Sequence, residues 1–392
     1  MLPAKIGKFT APLIFSALTA VAIPQAVNAA IKSPTAESTG AVVRVSSQQE
    51  LLAALRQARA PVTIVLSRGA WGGLKLKDLT VPYGTIVRSA NVSRPAVFDG
   101  IELNNVRGLT LSGVVVKLPA SGPVAGRYGV LVLGSRDVLL DKLALEGLGL
   151  TGDASNGIAM MLRKSSDITV QKSYFSKFRH GIAMLDLDNS VIQQNEFENL
   201  QTDAIRGGGV NYTRIANNVI TGFNPARGDH PDGIQLWSTR QRHASREIDI
   251  VDNLVVRGNG GPIQGIFVRD TRLRLPFEDL KITGNFIVGG LYNGITVLGA
   301  QRLDLRDNQV LSRPDQRSWI RVEYTRNSAA IDNHAFSFVI RNNRTRPLLR
   351  NNETVDATDV NVAGAVTNWV ETKPGFATYR GALLRRLMAR GQ

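Results

Sequence analysis

The chain contains no cysteine, so disulfides contribute nothing to its stability, and a thiolate zinc signature is excluded. Aromatic residues are scarce at 6%, which suits short strands and tight turns better than aromatic-rich packing. No P-loop, nucleophile elbow, EF-hand loop or Gly-Asp nonapeptide array appears, so the chemistry those motifs carry has no sequence support. Beyond residue 29 no apolar run is long enough to span a bilayer. Acidic residues are outnumbered, 32 against 47 basic ones, for a formal charge of +15. An excess of that size favours an anionic partner, whether nucleic acid, acidic lipid or acidic polysaccharide. Solubility, or arginine used in turns, is the plainer explanation of the same charge.

Residues 1–29 read as a secretory leader: Lys5 and Lys8, an apolar stretch Ala11–Ile23, then the small-x-small site Val27-Asn28-Ala29. About 13 apolar residues are too few for a comfortable membrane anchor. The expected location is periplasmic or secreted, with no transmembrane segment after cleavage and a charge of +13 once Lys5 and Lys8 are removed. Export makes a polysaccharide a more natural partner than nucleic acid, and the mature chain is expected to be a monomer. Residues 30–45, rich in Ser, Thr and Ala, read as a linker.

What the sequence does contain is a repeat. A polar residue, a small residue and an aliphatic return at Tyr128-Gly129-Val130, Asn156-Gly157-Ile158, His180-Gly181-Ile182, Asp203-Ala204-Ile205, Asp232-Gly233-Ile234, Gln264-Gly265-Ile266 and Asn293-Gly294-Ile295. The aliphatics are spaced by 28, 24, 23, 29, 32 and 29 residues, the period of a solenoid. A second family of alternating strands includes Leu109-Thr110-Leu111, Ile168-Thr169-Val170, Ile248-Asp249-Ile250, Leu303-Asp304-Leu305 and Phe338-Val339-Ile340. Three residues after its inner aliphatic stands an asparagine: Asn195, Asn218, Asn253, Asn285, Asn308 and Asn343. Stacked amides suit a tight turn, and Asn tolerates the left-handed backbone found there. Two strand families per period, both with period-2 alternation, predict an all-β parallel β-helix over 46–350.

Ser47, with Glu50 three residues on and Leu51, Leu52, Leu55 and Ala58 as an apolar face, predicts a capping helix over Ser47–Ala60, stopped by Pro61. Residues 351–392 read as a C-terminal cap or tail. There Leu383, Leu384, Leu387 and Met388 form one helical face opposite Arg380, Arg385, Arg386 and Arg390, and membrane-surface binding is the sharper alternative.

Aligning the strands on their inward aliphatics puts positions +1 and +3 on the outer face. Over three coils these are Arg206, Gly208, Gln235, Trp237, Phe267 and Arg269. Position −2 forms a polar column that includes His180, Asp203, Asp232, Gln264 and Asn293. Just upstream of Asp232 runs Asn224–Asp232, which carries His230, one of four histidines. Removing the proton α to a uronate carboxylate needs cations, a base and an acid. Arg206 and Arg269 supply the first. His230 is the natural base, oriented by Asp229 or Asp232. Trp237 and Tyr292 stack on sugar rings, while Gln235, His180, Asp203 and Gln264 contact substrate. Each has a plainer reading, the arginines as solvated side chains and the histidine as a brace of its turn.

The repeat, the N-terminal cap and the Gly-rich first coils resemble right-handed parallel β-helix proteins of the pectin-lyase-like group over roughly residues 46–350. Asp229-His230-Pro231-Asp232 resembles the Asp-Pro-His-Asp motif of alginate C5-epimerases, with His and Pro exchanged. That resemblance implies His230 as base, Asp229 and Asp232 as its partners and Arg269 as carboxylate neutraliser.

The expected function is therefore a lyase or C5-epimerase acting on a uronate polysaccharide. A β-helix hydrolase using Asp203 with Asp232, or a non-catalytic adhesin-type scaffold, is the alternative. No cofactor is expected; calcium is the one ion for which ligands are at hand, in Asp203, Asp229, Asp232 and Asn293.

Overall fold

The computed structural model describes residues 40–120, 128–149, 157–356 and 361–389. The leader, most of the linker and Asn156 lie outside these residues. Ala41–Val45, read above as the end of the linker, is a strand that pairs in parallel with Val62–Leu66. The next element is helix α1, Gln48–Gln57, with the Ser47 hydroxyl accepting from the Glu50 amide at its N-terminus. Leu51 and Leu55 are buried under it, closing the first coil.

From there the chain winds as a parallel β-solenoid, each strand pairing with its counterpart one coil on. Side chains alternate as the pattern requires: Ile234 and Leu236 are fully buried, whereas Gln235 and Trp237 are half-exposed. The inward column is Val130, Met160, Ile182, Ile205, Ile234, Ile266, Ile295 and Ile320. Full burial of such a side chain is worth roughly 1.5–3 kcal/mol. The column differs from the expected one in a single coil: Met160 replaces Ile158. Ile158 instead pairs with Tyr128 and His180. A slip of two residues keeps the alternation intact, so the inward face stays apolar.

Each coil has three faces rather than two. The third sheet is built from three-residue strands such as Val219–Thr221, Leu254–Val256 and Phe286–Val288. These are buried along their whole length and so give no alternation. Their outer face is covered by α2 (Val362–Thr372) and α3 (Arg380–Ala389), which bury Val366, Trp369, Val370, Leu383 and Leu387 against Leu254, Phe286 and Val288. Trp369 Nε1 donates to the Gly284 carbonyl at 3.2 Å, and Lys373 Nζ to Asp252 Oδ1 at 2.6 Å. The C-terminal helices thus lie along the side of the solenoid, while Leu348 and Leu349 of its last coil are exposed. Leu383 and Leu387 are spent on this packing and are not free for a lipid surface. Among the described residues no helix is long and apolar enough to cross a membrane.

At the corner between the second and third sheets runs the asparagine ladder. Asn195, Asn218, Asn253, Asn285, Asn308 and Asn333 are fully buried. Each Oδ1 from Asn218 onward accepts from the side-chain amide of the rung before it. The left-handed residue is the one just before the asparagine, as at Gln194, Asn217, Asp252 and Asp307. Asn343 is not a rung. Phe338-Val339-Ile340 belongs to the first sheet, pairing with Ile320-Arg321-Val322, and Asn343 accepts from the Thr325 amide at a different corner. Asn333 and Asn352 continue the ladder instead.

Candidate functional site

The outer face of the first sheet carries a cleft of about 690 Å³. Arg206, Gln235, Trp237, Phe267 and Arg269 line it, as their +1 and +3 positions predicted. Two further arginines join them. Arg163 sits at +3 because of the two-residue slip, opposite Leu185 in the register. Arg240 comes from the loop after Trp237, in the left-handed conformation with φ 61°. That loop, Thr239-Arg240-Gln241-Arg242-His243, is a run of basic and polar residues that could have pointed to the wall of a cleft. Among the described residues Asp186 is the one carboxylate in the lining. Gly208 occupies an outward +3 position, where a Cβ would come within 2.9 Å of Trp237 Nε1 and 3.0 Å of Gln241 Nε2. Its missing side chain is what lets both lie on the floor.

Arg206 is held from three sides. Its Nη1 is 2.9 Å from Asp203 Oδ2 and 3.0 Å from His180 Nε2, and its guanidinium carbon lies 4.8 Å from the centroid of the Trp237 ring. The same Nη1 is 3.3 Å from His180 Nδ1, which also meets the Thr202 hydroxyl; that hydroxyl donates to the Arg179 carbonyl at 3.1 Å. A guanidinium only donates, so a neutral imidazole is the form that suits this contact. Burial, followed by the charges of Arg206 and Arg179, depresses the His180 pKa to about 3.

The polar column therefore stands behind the cleft rather than in it. Asp203 and Asp232 are 4% and 2% exposed. Asp203 Oδ1 accepts from the Asp232 amide at 3.1 Å, and Asp232 Oδ2 accepts from Gln235 Nε2 at 2.6 Å. Burial raises the pKa of both carboxyls; the charge of Arg206 pulls against this at Asp203, and the charge of Asp203 adds to it at Asp232. Among the described residues the buried Asp232 Oδ1 has no hydrogen-bond partner, as suits a neutral carboxyl group better than a carboxylate. These residues were expected to touch substrate or to orient His230. In the structure Asp203 and His180 position Arg206, and Asp232 positions Gln235.

The Asp229–Asp232 segment is arranged differently from the expectation. Asp229 turns into its own loop, accepting from the Ala226 amide at 3.2 Å and Gln201 Nε2 at 3.4 Å. Among the described residues no hydrogen bond joins His230 to Asp229 or Asp232. His230 is exposed at the turn, outside the cleft lining but near enough for its charge to act on Asp203. Gln264 accepts from Asn293 Nδ2 at 2.8 Å, and Tyr292 is exposed with its ring 5.2 Å from Trp319. Neither lines the cleft. Among the described residues no group of three or more His, Asp or Glu side chains is arranged to hold a metal ion.

No curated protein matches the sequence. Among solved structures, a tailspike of E. coli bacteriophage HK620 in complex with pentasaccharide superposes with a TM-score of 0.53 at 14% identity, over 80% of this chain and 63% of that one. The chain therefore spans somewhat under two thirds of the tailspike's length. PfbA, a surface adhesin of Streptococcus pneumoniae, gives 0.50 at 14% identity, over 78% and 85% of the two chains. An alginate lyase from Paenibacillus sp. str. FPU-7 gives 0.43 at 15% identity, over 80% and 99%. The family description "right handed beta helix region" matches residues 99–310, more than half of the sequence. With three parallel sheets, a buried asparagine ladder and that match, the chain belongs to the right-handed β-helix family.

Proposed function

We propose that the protein binds an anionic, uronate-containing polysaccharide in the cleft on the first sheet and acts on it by removing the C5 proton. The observation that carries this is the fixed guanidinium of Arg206, held by Asp203, His180 and Trp237, with Arg163, Arg240 and Arg269 beside it. A freely solvated arginine loses side-chain entropy on binding; one already held loses less. Four cations facing a single acidic side chain suit a carboxylate-bearing chain, and Trp237 and Phe267 offer faces to sugar rings. A phage tailspike of the same fold, solved with a pentasaccharide, supports a saccharide as the ligand.

In the reaction the base takes the C5 proton, and the electron pair left behind moves into the carboxylate, where the arginines stabilise the added charge. His230 is assigned as base on its likeness to the epimerase motif and its exposure at the turn before Asp232. The electrons then either break the C4–O bond, with a proton passing to the leaving oxygen, or recapture a proton on the opposite face at C5. The first outcome is a lyase and the second an epimerase. The leader-like residues 1–29 fit a periplasmic or secreted enzyme.

Hydrolysis through Asp203 and Asp232 is the second reading, favoured by their raised pKa values and opposed by their burial behind Arg206 and Gln235. The protein should be incubated with alginate and polygalacturonate while absorbance near 235 nm, reducing ends and C5 configuration by NMR are followed. Unsaturated ends identify a lyase and inverted C5 at constant length an epimerase, each lost in His230→Ala. Saturated new ends would replace this reading with the hydrolase, and binding without product would replace it with a scaffold.

A further inference from the structure

We propose a second carboxylate-binding subsite, formed by Arg274, Arg326 and Arg344, that holds the same polysaccharide chain further along the solenoid; it rests on the reading above. The three side chains line a hollow of about 100 Å³ together with Tyr324, Gln301 and Asp270. The hollow adjoins the cleft, since Asp270 lines one and its neighbour Thr271 the other.

Charge pairing distinguishes these arginines from their neighbours. Arg302 is paired with Asp279, Arg306 with Asp304, and Arg321 and Arg341 share Glu323. Among the described residues Arg274, Arg326 and Arg344 have no such partner, and all three are exposed. Nor does Asp270 serve as one. It is 2% exposed, its Oδ1 accepts from Ser238 Oγ at 2.7 Å and its Oδ2 from the Leu275 amide at 2.8 Å. Its carboxylate is occupied in holding the loop that presents Arg274. Three cations gathered about the single buried carboxylate of Asp270 leave an excess of positive charge, and an anion among them offsets it. Tyr324, left-handed at φ 58° and 37% exposed, presents a ring at the edge of the same hollow.

The register sets the reach. From the coil of Arg269 to that of Arg344 is three steps, Ile266 to Ile295 to Ile320 to Phe338, or about 14 Å at roughly 4.8 Å per coil. A long chain seated in the cleft continues onto the second subsite, whereas a short oligomer fills the cleft alone.

Binding of alginate and polygalacturonate, as polymers and as trimers, should be measured by calorimetry at low and high salt. The Arg326→Ala/Arg344→Ala double variant should bind polymer about tenfold more weakly, with a shallower salt dependence, and trimer unchanged. Arg274→Glu should act in the same direction, and all three positions are exposed, so thermal melting should stay at the wild-type value. Arg206→Ala should weaken both ligands. Wild-type polymer affinity and salt dependence in the double variant, with Arg206→Ala impaired, would overturn the subsite and leave the cleft standing. If Arg206→Ala is also unimpaired, or the wild type binds neither polymer, the cleft reading falls and the subsite with it.

Discussion

Replacing His180 with glutamine should flatten the acid side of the stability profile. His180 is buried, its side chain only 12% exposed, and its pKa in the fold is about 3 against an ordinary 6.5. A histidine depressed in the fold binds its proton in the unfolded chain first, so acid favours unfolding. The stability tied to the neutral ring is whole above pH 6.5 and is lost as the pH falls from 6.5 toward 3. At 1.36 kcal/mol per pH unit over that window, the loss between pH 7 and pH 5 is about 2 kcal/mol. Asp203 and Asp232 act with the opposite sign. Their raised pKa values mean the fold takes up protons there, which gains stability on acidification. The wild-type profile mixes the two contributions, and the difference between wild type and His180→Gln separates out the histidine. Urea denaturation of both proteins at pH 7 and pH 5 should find the variant losing about 2 kcal/mol less. Equal losses in the two proteins would refute the reasoning. So would an imidazole resonance of His180 that titrates near pH 6.5 in the folded protein.

Two further outcomes follow from packing. Asn253→Ala removes a side chain that accepts from the Asn218 amide and side chain and donates to the Ile215 carbonyl and Asn285; stranding those buried groups should cost about 3 kcal/mol by urea denaturation, against about 1 kcal/mol for the half-buried end rung Asn352→Ala. Trp369→Ala empties the space between Phe286 and Phe376, whose ring centroids lie 5.5 and 5.6 Å from the indole; a cost of roughly 3–5 kcal/mol should appear as lost hydrogen-exchange protection in α2 and α3, with the sheets still protected.

The sequence revealed the solenoid because each coil contributes one inward aliphatic at a recognisable interval, and the outward +1 and +3 positions followed from alternation. It concealed the slip at Ile158, since Asn156-Gly157-Ile158 reads like the other copies and a shift of two leaves the faces unchanged. It concealed the third sheet because strands of three residues are too short to show a period, and some, such as Leu254–Val256 and Phe286–Val288, are buried on both faces. Asn343 imitated Asn333, each standing three residues after a buried or half-buried residue that points inward. Of the site, Arg206, Gln235, Trp237 and Arg269 were legible from position alone. That Asp203, His180 and Asp232 support those residues from behind was not, because burial depends on how the corner folds. Arg163 and Arg240 were missed for related reasons: one needed the true register, the other the path of a loop.

The asparagine corner gives the molecule a spine. The stretch from inner aliphatic to ladder asparagine is three residues long in coil after coil, and every rung is tied to the next. Length varies elsewhere, in the Asn224–His230 loop at one corner and the Thr239–His243 loop at another. With the phase of each coil locked at the spine, residues added or lost at those margins need not rotate the coils beyond them. The cleft takes Thr239, Arg240 and Gln241 of its wall from such a margin, and the arginine hollow takes Arg274 from another. Their loops can be rewritten one coil at a time, so that ligand preference can change while the solenoid stays the same.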